Sequence, residues 1–318
     1  MSNYIVLGKF YGIIYFPDVL RLRFRAEERK KIMKQLSFTT TGSFDLLEGF
    51  GCASLGLPGV CGNDEKRVVT HHLKLEAVEL TGTYEEVLDG IKRVKEPAQA
   101  AVILFGNVGG ENVFLAELRK TLHCPIVGGG AAIDLAGNTS GLITGRGEAA
   151  LLLITDDRYT YQTDTLCIHD QILGTCDLTL ADPRTILTIN GVNAVEFYDQ
   201  KRKELGLADT DFEHLTLSDL RGVNAHLSRN GDKLCGGRDL QKTMLLRYVD
   251  HAKVYETMRN FYDDEDAVVF GCAGLSGILD RPLDTKSLGL FLFGEVCMAE
   301  GYAEFGNLML SKLKILTK

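Results

Sequence analysis

The chain has no surplus of positive charge: 35 Lys and Arg stand against 43 Asp and Glu, a formal net charge of −8. With no basic field to release counterions, binding to nucleic acid or to an anionic membrane surface is not expected. Long apolar runs are also missing. The longest near the amino terminus, 4–16, carries Lys9 and is too short to span a bilayer, and it has neither a basic leader nor a small-residue cleavage site. None of the eight cysteines (52, 61, 124, 167, 176, 235, 272 and 297) forms a Cys-x-x-Cys pair. They read as scattered reduced thiols of a cytoplasmic protein rather than as a disulfide framework. No His-x-x-x-His and no Cys/His cluster of zinc spacing occurs, so no dedicated metal site is expected. A Walker loop, a Gly-x-Gly-x-x-Gly fingerprint, tandem repeats and low-complexity linkers are absent too.

What is there is ordinary globular material, 45% hydrophobic and 25% charged over 318 residues. That suffices for one large domain or two interlocked ones. Residues 4–7 and 13–16 pattern as strands, and Pro17-Asp18 opens a helix over 19–36 carrying seven Lys or Arg. Leu20, Phe24, Ile32 and Leu36 form its inner stripe. Residues 37–66, rich in Gly, Ser and Thr, read as a long loop with a short helix near 44–47, and 68–80 reads as extended. Thr83 with Glu86 forms a capping box that starts a helix to about Val94. A β-α-β rhythm follows, with strand 100–105, helix 112–122 and strand 125–127. Val113, Leu115, Leu118 and Leu122 are the expected inner stripe of that helix. Strands 149–155 and 160–168 are expected to pair as a hairpin across Asp156-Asp157-Arg158. Asp182-Pro183-Arg184 marks a junction. Beyond it come strand 185–189, helix 193–205 stopped by Gly206, strand 244–249, a helix capped by Asp250 and running to Tyr262, and strand 267–270. The class is α/β, mixed sheets with helices packed on them, in two interlocked halves, 1–180 and 181–318.

Two glycine clusters and two strand ends carry the candidate chemistry. Gly106-Asn107-Val108-Gly109-Gly110 lies between a strand and a helix. It reads as an anion cradle or as a tight turn. Gly128-Gly129-Gly130 follows a strand and reads as a ligand wall or as a crossover of close-packed backbones. The apolar run 289–294 ends in Glu295, a carboxylate too costly to bury alone. Its partner would be Arg281, Lys286, a pair of backbone N–H groups or a ligand ammonium; the alternative is a structural carboxylate capping a loop. Cys272, at the tip of its strand, reads as a nucleophile, a haem or metal thiolate, or a small buried apolar group. His71 and His72 are neighbours on an extended segment and point to opposite faces. His226 and His251 are the candidate axial ligands if haem is bound.

The order of these motifs resembles a known family. Cys272-Ala273-Gly274, Phe291-Leu292-Phe293-Gly294-Glu295 and Gly306-Asn307-Leu308-Met309-Leu310 are similar to the carboxy-terminal part of the FIST domain (F-box and intracellular signal transduction). Residues 190–198 resemble the opening of that part, and Ile126-Val127-Gly128-Gly129 the end of the amino-terminal part. The first 90 residues or so diverge. The family's Arg after Cys-x-Gly is replaced here by Leu275. The resemblance implies a small-molecule-binding sensory protein. Lacking an output module of its own, it would act in trans on a separate signalling protein. Its pocket residues would be Glu295, Cys272, Tyr198 and Asn307, with Gly128 and Gly129 from the other half. Two alternatives stay open: a hydrolase or transferase using Cys272 and Glu295, with Tyr198 near, and a haem-based nitric oxide sensor.

Overall fold

The computed structural model describes residues 34–40, 50–54, 68–73, 75–106, 109–131, 143, 147–207, 214–279, 281–299 and 301–318. In chain order the elements begin with β1 (Lys34–Thr40), β2 (Phe50–Ser54), β3 (Val68–Leu73), β4 (Ala77–Gly82), α1 (Tyr84–Ile91), β5 (Ala100–Phe105), α2 (Glu111–Thr121) and β6 (Ile126–Gly130). Next come β7 (Ala149–Ile154), β8 (Tyr159–Cys167), β9 (Gln171–Asp182), β10 (Thr185–Ile189), β11 (Val192–Asn193) and α3 (Ala194–Glu204). Then follow β12 (Leu215–Ser218), β13 (Asn224–Ala225), β14 (Leu227–Asn230), β15 (Lys233–Gly236), β16 (Thr243–Tyr248) and α4 (His251–Phe261). The last are β17 (Ala267–Cys272), α5 (Gly274–Ile278), β18 (Leu288–Leu292), β19 (Glu295–Ala299), β20 (Tyr302–Gly306) and β21 (Met309–Thr317). The fold is mixed α/β, several sheets with helices packed on them.

Two of the sheets lie face to face. One runs β20-β19-β6-β5-β7-β4, the other β18-β17-β21-β8. Strand periodicity explains the layering. In β5, Ala100, Val102 and Leu104 join Val268, Phe270 and Leu313 of the second sheet in one core. The alternate residues Ala101, Ile103 and Phe105 turn to the other face and meet Val87 of α1 and Phe114, Leu115 and Leu118 of α2. A strand buried on both faces must be apolar throughout, as β5 is. The second sheet's outer face carries α4 through Val254 and Met258 and α5 through Leu275 and Ile278. The result is helix, sheet, sheet, helix.

A third sheet is built from residues 171–248. Its path, β13-β12-β16-β9-β10-β15-β14, begins and ends on strands separated only by His226. The segment 224–230 thus pairs β12 through its first residues and β15 through its last, bending the antiparallel sheet round into a barrel-like shape. Leu178, Ile186, Leu215, Leu217, Leu234 and Met244 fill it, and α3 packs on this core through Ala194 and Tyr198.

Local signals hold where they were strong. Thr83 and Glu86 exchange both capping-box hydrogen bonds, Asn193 and Asp250 cap α3 and α4, and Gly206 takes φ +68 just past α3. Other expectations need correction. Strands β7 and β8 do not form a hairpin: β7 pairs β4 and β5, while β8 pairs β21 along its whole length in the facing sheet. The segment 156–158 is thus a crossing between layers, held by Asp156 and Arg158. Asp182-Pro183-Arg184 is not a junction but the turn between the paired strands β9 and β10; the 180/181 division falls inside β9. In α2, Val113 is 71% exposed and Phe114 takes its place in the core. Residues 34–36, expected to end a helix, open strand β1, and the expected loop 37–66 contains strand residues 37–40 and 50–54. Pairing with two partner strands sets β1, which local propensity could not show. The rest of the basic helix, strands 4–7 and 13–16, and the helix at 44–47 lie outside the described residues. Among the described residues no helix is long and apolar enough to cross a membrane.

Candidate functional site

Glu295 opens β19 just where that strand leaves a tight crossing with β6. Gly130 and the Phe293-Gly294 segment exchange two backbone hydrogen bonds, of 2.8 and 3.2 Å. Glu295 itself lies opposite Gly129. A Cβ on Gly129 would come 2.2 Å from the Gly294 carbonyl oxygen, and one on Gly128 would overlap the backbone of Ile103. The glycines are therefore required by close backbone packing. Of the two readings open for Gly128 and Gly129, the structure has the crossover.

The Glu295 side chain is fully buried between the two facing sheets. Its Oε1 accepts the Met309 N–H at 2.9 Å, and its Oε2 has no hydrogen-bond partner. Neither expected cation reaches it: Arg281 stacks on the Tyr255 ring and Lys286 pairs with Asp263. Burial without a countercharge drives the carboxyl well above its ordinary range, against the pull of the Met309 N–H and the Cys272 thiol. The shift favours the protonated form of Glu295.

Cys272 ends β17 beside that carboxyl, although Glu295 Oε2 lacks the geometry of a full hydrogen bond to it. Burial and then the Glu295 charge push the Cys272 thiol up to about 12, even though the backbone N–H groups of Leu308, Gly274 and Gly294 are turned to its sulfur. The Tyr262 hydroxyl lies over Gly271, the preceding residue, is buried without a partner, and is raised by burial and by Glu295. Cys297, two residues along β19, is likewise raised by burial, and its Sγ sits 3.7 Å from Met309 Sδ. The site thus gathers an acid, a phenol and thiols, each shifted by burial toward its neutral form, with several backbone N–H groups turned inward.

The donor turn, Gly306-Asn307-Leu308-Met309, joins β20 to β21. Leu308 adopts φ +56, a conformation that a non-glycine residue holds only when its surroundings impose it. The surroundings here come from the barrel: Asn224 donates through Nδ2 to the Leu308 carbonyl at 3.3 Å and accepts through its own carbonyl from Asn307 N at 3.1 Å. The sheet at β20 is tied to the barrel by a second latch. Arg238 bridges Asp219 and Glu304 at 3.4 and 3.2 Å, and Arg221 pairs with the same two carboxylates.

The sequence-expected residues therefore divide. Glu295, Cys272, Gly128 and Gly129 come together. Asn307 belongs to the donor turn, but its buried amide lies over Gly237 of the barrel, and its Oδ1 has no partner. Tyr198 does not join them: it is packed in the barrel core and donates its hydroxyl to the Leu215 carbonyl. Tyr262, Cys297, Met309 and Asn224 went unforeseen, because a tyrosine ending a helix or a lone methionine carries no local mark of polarity. The glycine loop before α2 offers no bare cradle at Gly109, whose N–H is donated to Glu111 at 2.7 Å. Asn107 and Val108 lie outside the described residues. Leu275 is buried in the apolar cluster under α4.

His226, at the bend that closes the barrel, is partly exposed as a residue while its ring is packed in protein; burial pushes its imidazole down to about 4. The side chain of His251 lies outside the description. One cleft of about 100 Å³ lies between β8 and α4, and another of about 470 Å³ runs along α1. Among the described residues no group of three His, Cys, Asp or Glu side chains is placed to hold a metal ion. No family model matches the chain, and no curated protein matches it.

Proposed function

We propose that the chain is a small-molecule-binding, FIST-like signal-input protein that acts in trans on a separate partner, with its ligand received at the Glu295, Cys272 and Tyr262 cluster. One observation carries this: Glu295 Oε2 and the Tyr262 hydroxyl are fully buried without hydrogen-bond partners, next to one another electrostatically. Polar atoms in that state are costly unless something satisfies them. Strands from both halves of the chain, β6 on one side and β17, β19 and β21 on the other, surround these atoms. The order of the Cys-x-Gly, Phe-Gly-Glu and Gly-Asn motifs supports the family assignment, and the latches from Asn224 and Arg238 give an occupied site a route to the barrel surface.

The enzyme reading has less behind it. A thiol pushed up to about 12 is not a thiolate at neutral pH, and burial shifts the neighbouring acid away from its base form. The test is a thermal-shift screen against metabolites, with each hit re-isolated and weighed. Binding predicts ligand recovered intact and a shift lost in Glu295→Gln. Chemically altered hits, or shifts that survive Glu295→Gln unchanged, would overturn the proposal.

A further inference from the structure

The barrel is joined covalently to the layered body through two segments, 168–170 on entry and 249–250 on exit, and they lie side by side. Between them, under α4, is the cleft of about 100 Å³. Its floor is aliphatic: Leu166, Ile168, Val249 and Val254. Its rim carries Asp170, Asp250 and Lys253, two carboxylates against one ammonium, and Lys253 is already 3.8 Å from Asp250. An apolar cavity of about 150 Å³ holds a benzene ring, so this one has room for roughly four or five heavy atoms.

We propose that this seam cleft is a second ligand site, taking a short branched alkylamine: the alkyl group on the aliphatic floor, the ammonium at Asp170. Asp250 is taken up by capping α4 at Ala252 N–H and by Lys253, so a carboxylate of the same shape would meet Asp170 as a like charge and is disfavoured. The wall also contains Cys167, whose Sγ lies 3.3 Å from Asn224 Nδ2. Asn224 is the residue that holds the donor turn at Leu308. A ligand here therefore touches both connections of the barrel and stands one side chain from that turn. The site is separate from the Glu295 cluster and does not depend on its assignment.

The test uses isobutylamine and isobutyrate as matched probes on the full chain. Isobutylamine is expected to shift the methyl resonances of Ile168, Val249 and Val254 and to slow alkylation of Cys167 by iodoacetamide several-fold, followed by peptide mass analysis. Isobutyrate is expected to do neither. Val254→Phe, which fills the cleft, should abolish both effects. Asp170→Lys, an exposed change that leaves the packing alone, should reverse the preference in favour of isobutyrate. Glu295→Gln should leave isobutylamine binding unchanged, which separates this site from the other. The proposal is overturned if isobutylamine moves none of these methyls, if isobutyrate binds the unaltered protein equally well, or if Asp170→Lys leaves the preference as it was.

Discussion

Replacing Glu295 with Gln isolates the cost of burying an acid. Gln keeps the shape and the oxygen that accepts the Met309 N–H, and removes the proton equilibrium. In the unfolded chain a glutamate titrates near 4.3, whereas in the fold burial holds Glu295 protonated far above that. The sign follows from linkage. A carboxyl whose folded value is raised contributes stability that is full below about pH 4.3 and is lost as pH climbs toward the folded value. In that window the unaltered protein loses about 1.4 kcal/mol per pH unit relative to the Gln variant. As pH rises above about 4.3 the stability difference should thus move in favour of Gln. Near pH 4 the order should reverse, because the Gln amide puts N–H donors where Oε2 has no partner, at a cost of about 1–3 kcal/mol. Urea unfolding of both proteins across pH 4 to 7 reads the difference directly. Curves whose separation does not change with pH would refute the neutral-acid assignment.

Further outcomes follow from the same geometry. Gly129→Ala drives a Cβ against the Gly294 carbonyl and should destabilise by about 3 kcal/mol in denaturant titration. Gly191→Ala meets no neighbouring atom but must hold φ +79, so its cost should be only about 1 kcal/mol, and an equal loss at both positions would contradict the packing at the β6 crossing. Arg238→Met leaves the buried Asp219 carboxylate without that guanidinium and should cost about 3 kcal/mol, read as a lower urea midpoint. With its thiol pushed up to about 12 and enclosed, Cys272 should resist iodoacetamide at pH 8 until the protein is unfolded; rapid alkylation of the folded chain would speak against the enclosed site.

The sequence marked Glu295 because a charge closing an apolar run must find a buried answer, and Cys272 because its strand ends in a turn. The same local logic placed the capped helices α1, α3 and α4, whose Thr83, Asn193 and Asp250 side chains bond within their own first turns. What it missed is non-local. Residues 215–236 hold short strands whose closure depends on Asn224–Ala225 pairing to one side and Leu227–Asn230 to the other, and no periodicity announces that. Strands 149–154 and 159–167 looked like hairpin partners because they are adjacent in the chain, yet the apolar faces of the two layers recruit them to different sheets. Tyr262 reads only as the end of a helix; the approach of Glu295 on β19 makes its hydroxyl part of a polar cluster.

The account is tested most directly by carboxyl-carbon NMR on protein labelled at glutamate, with the Glu295 resonance identified by its loss in Glu295→Gln. The account predicts that this resonance stays at the protonated position to a higher pH than those of the exposed glutamates, and that it moves when a metabolite that raises the melting midpoint is added. A Glu295 signal that titrates with the others and ignores every stabilising compound would contradict it.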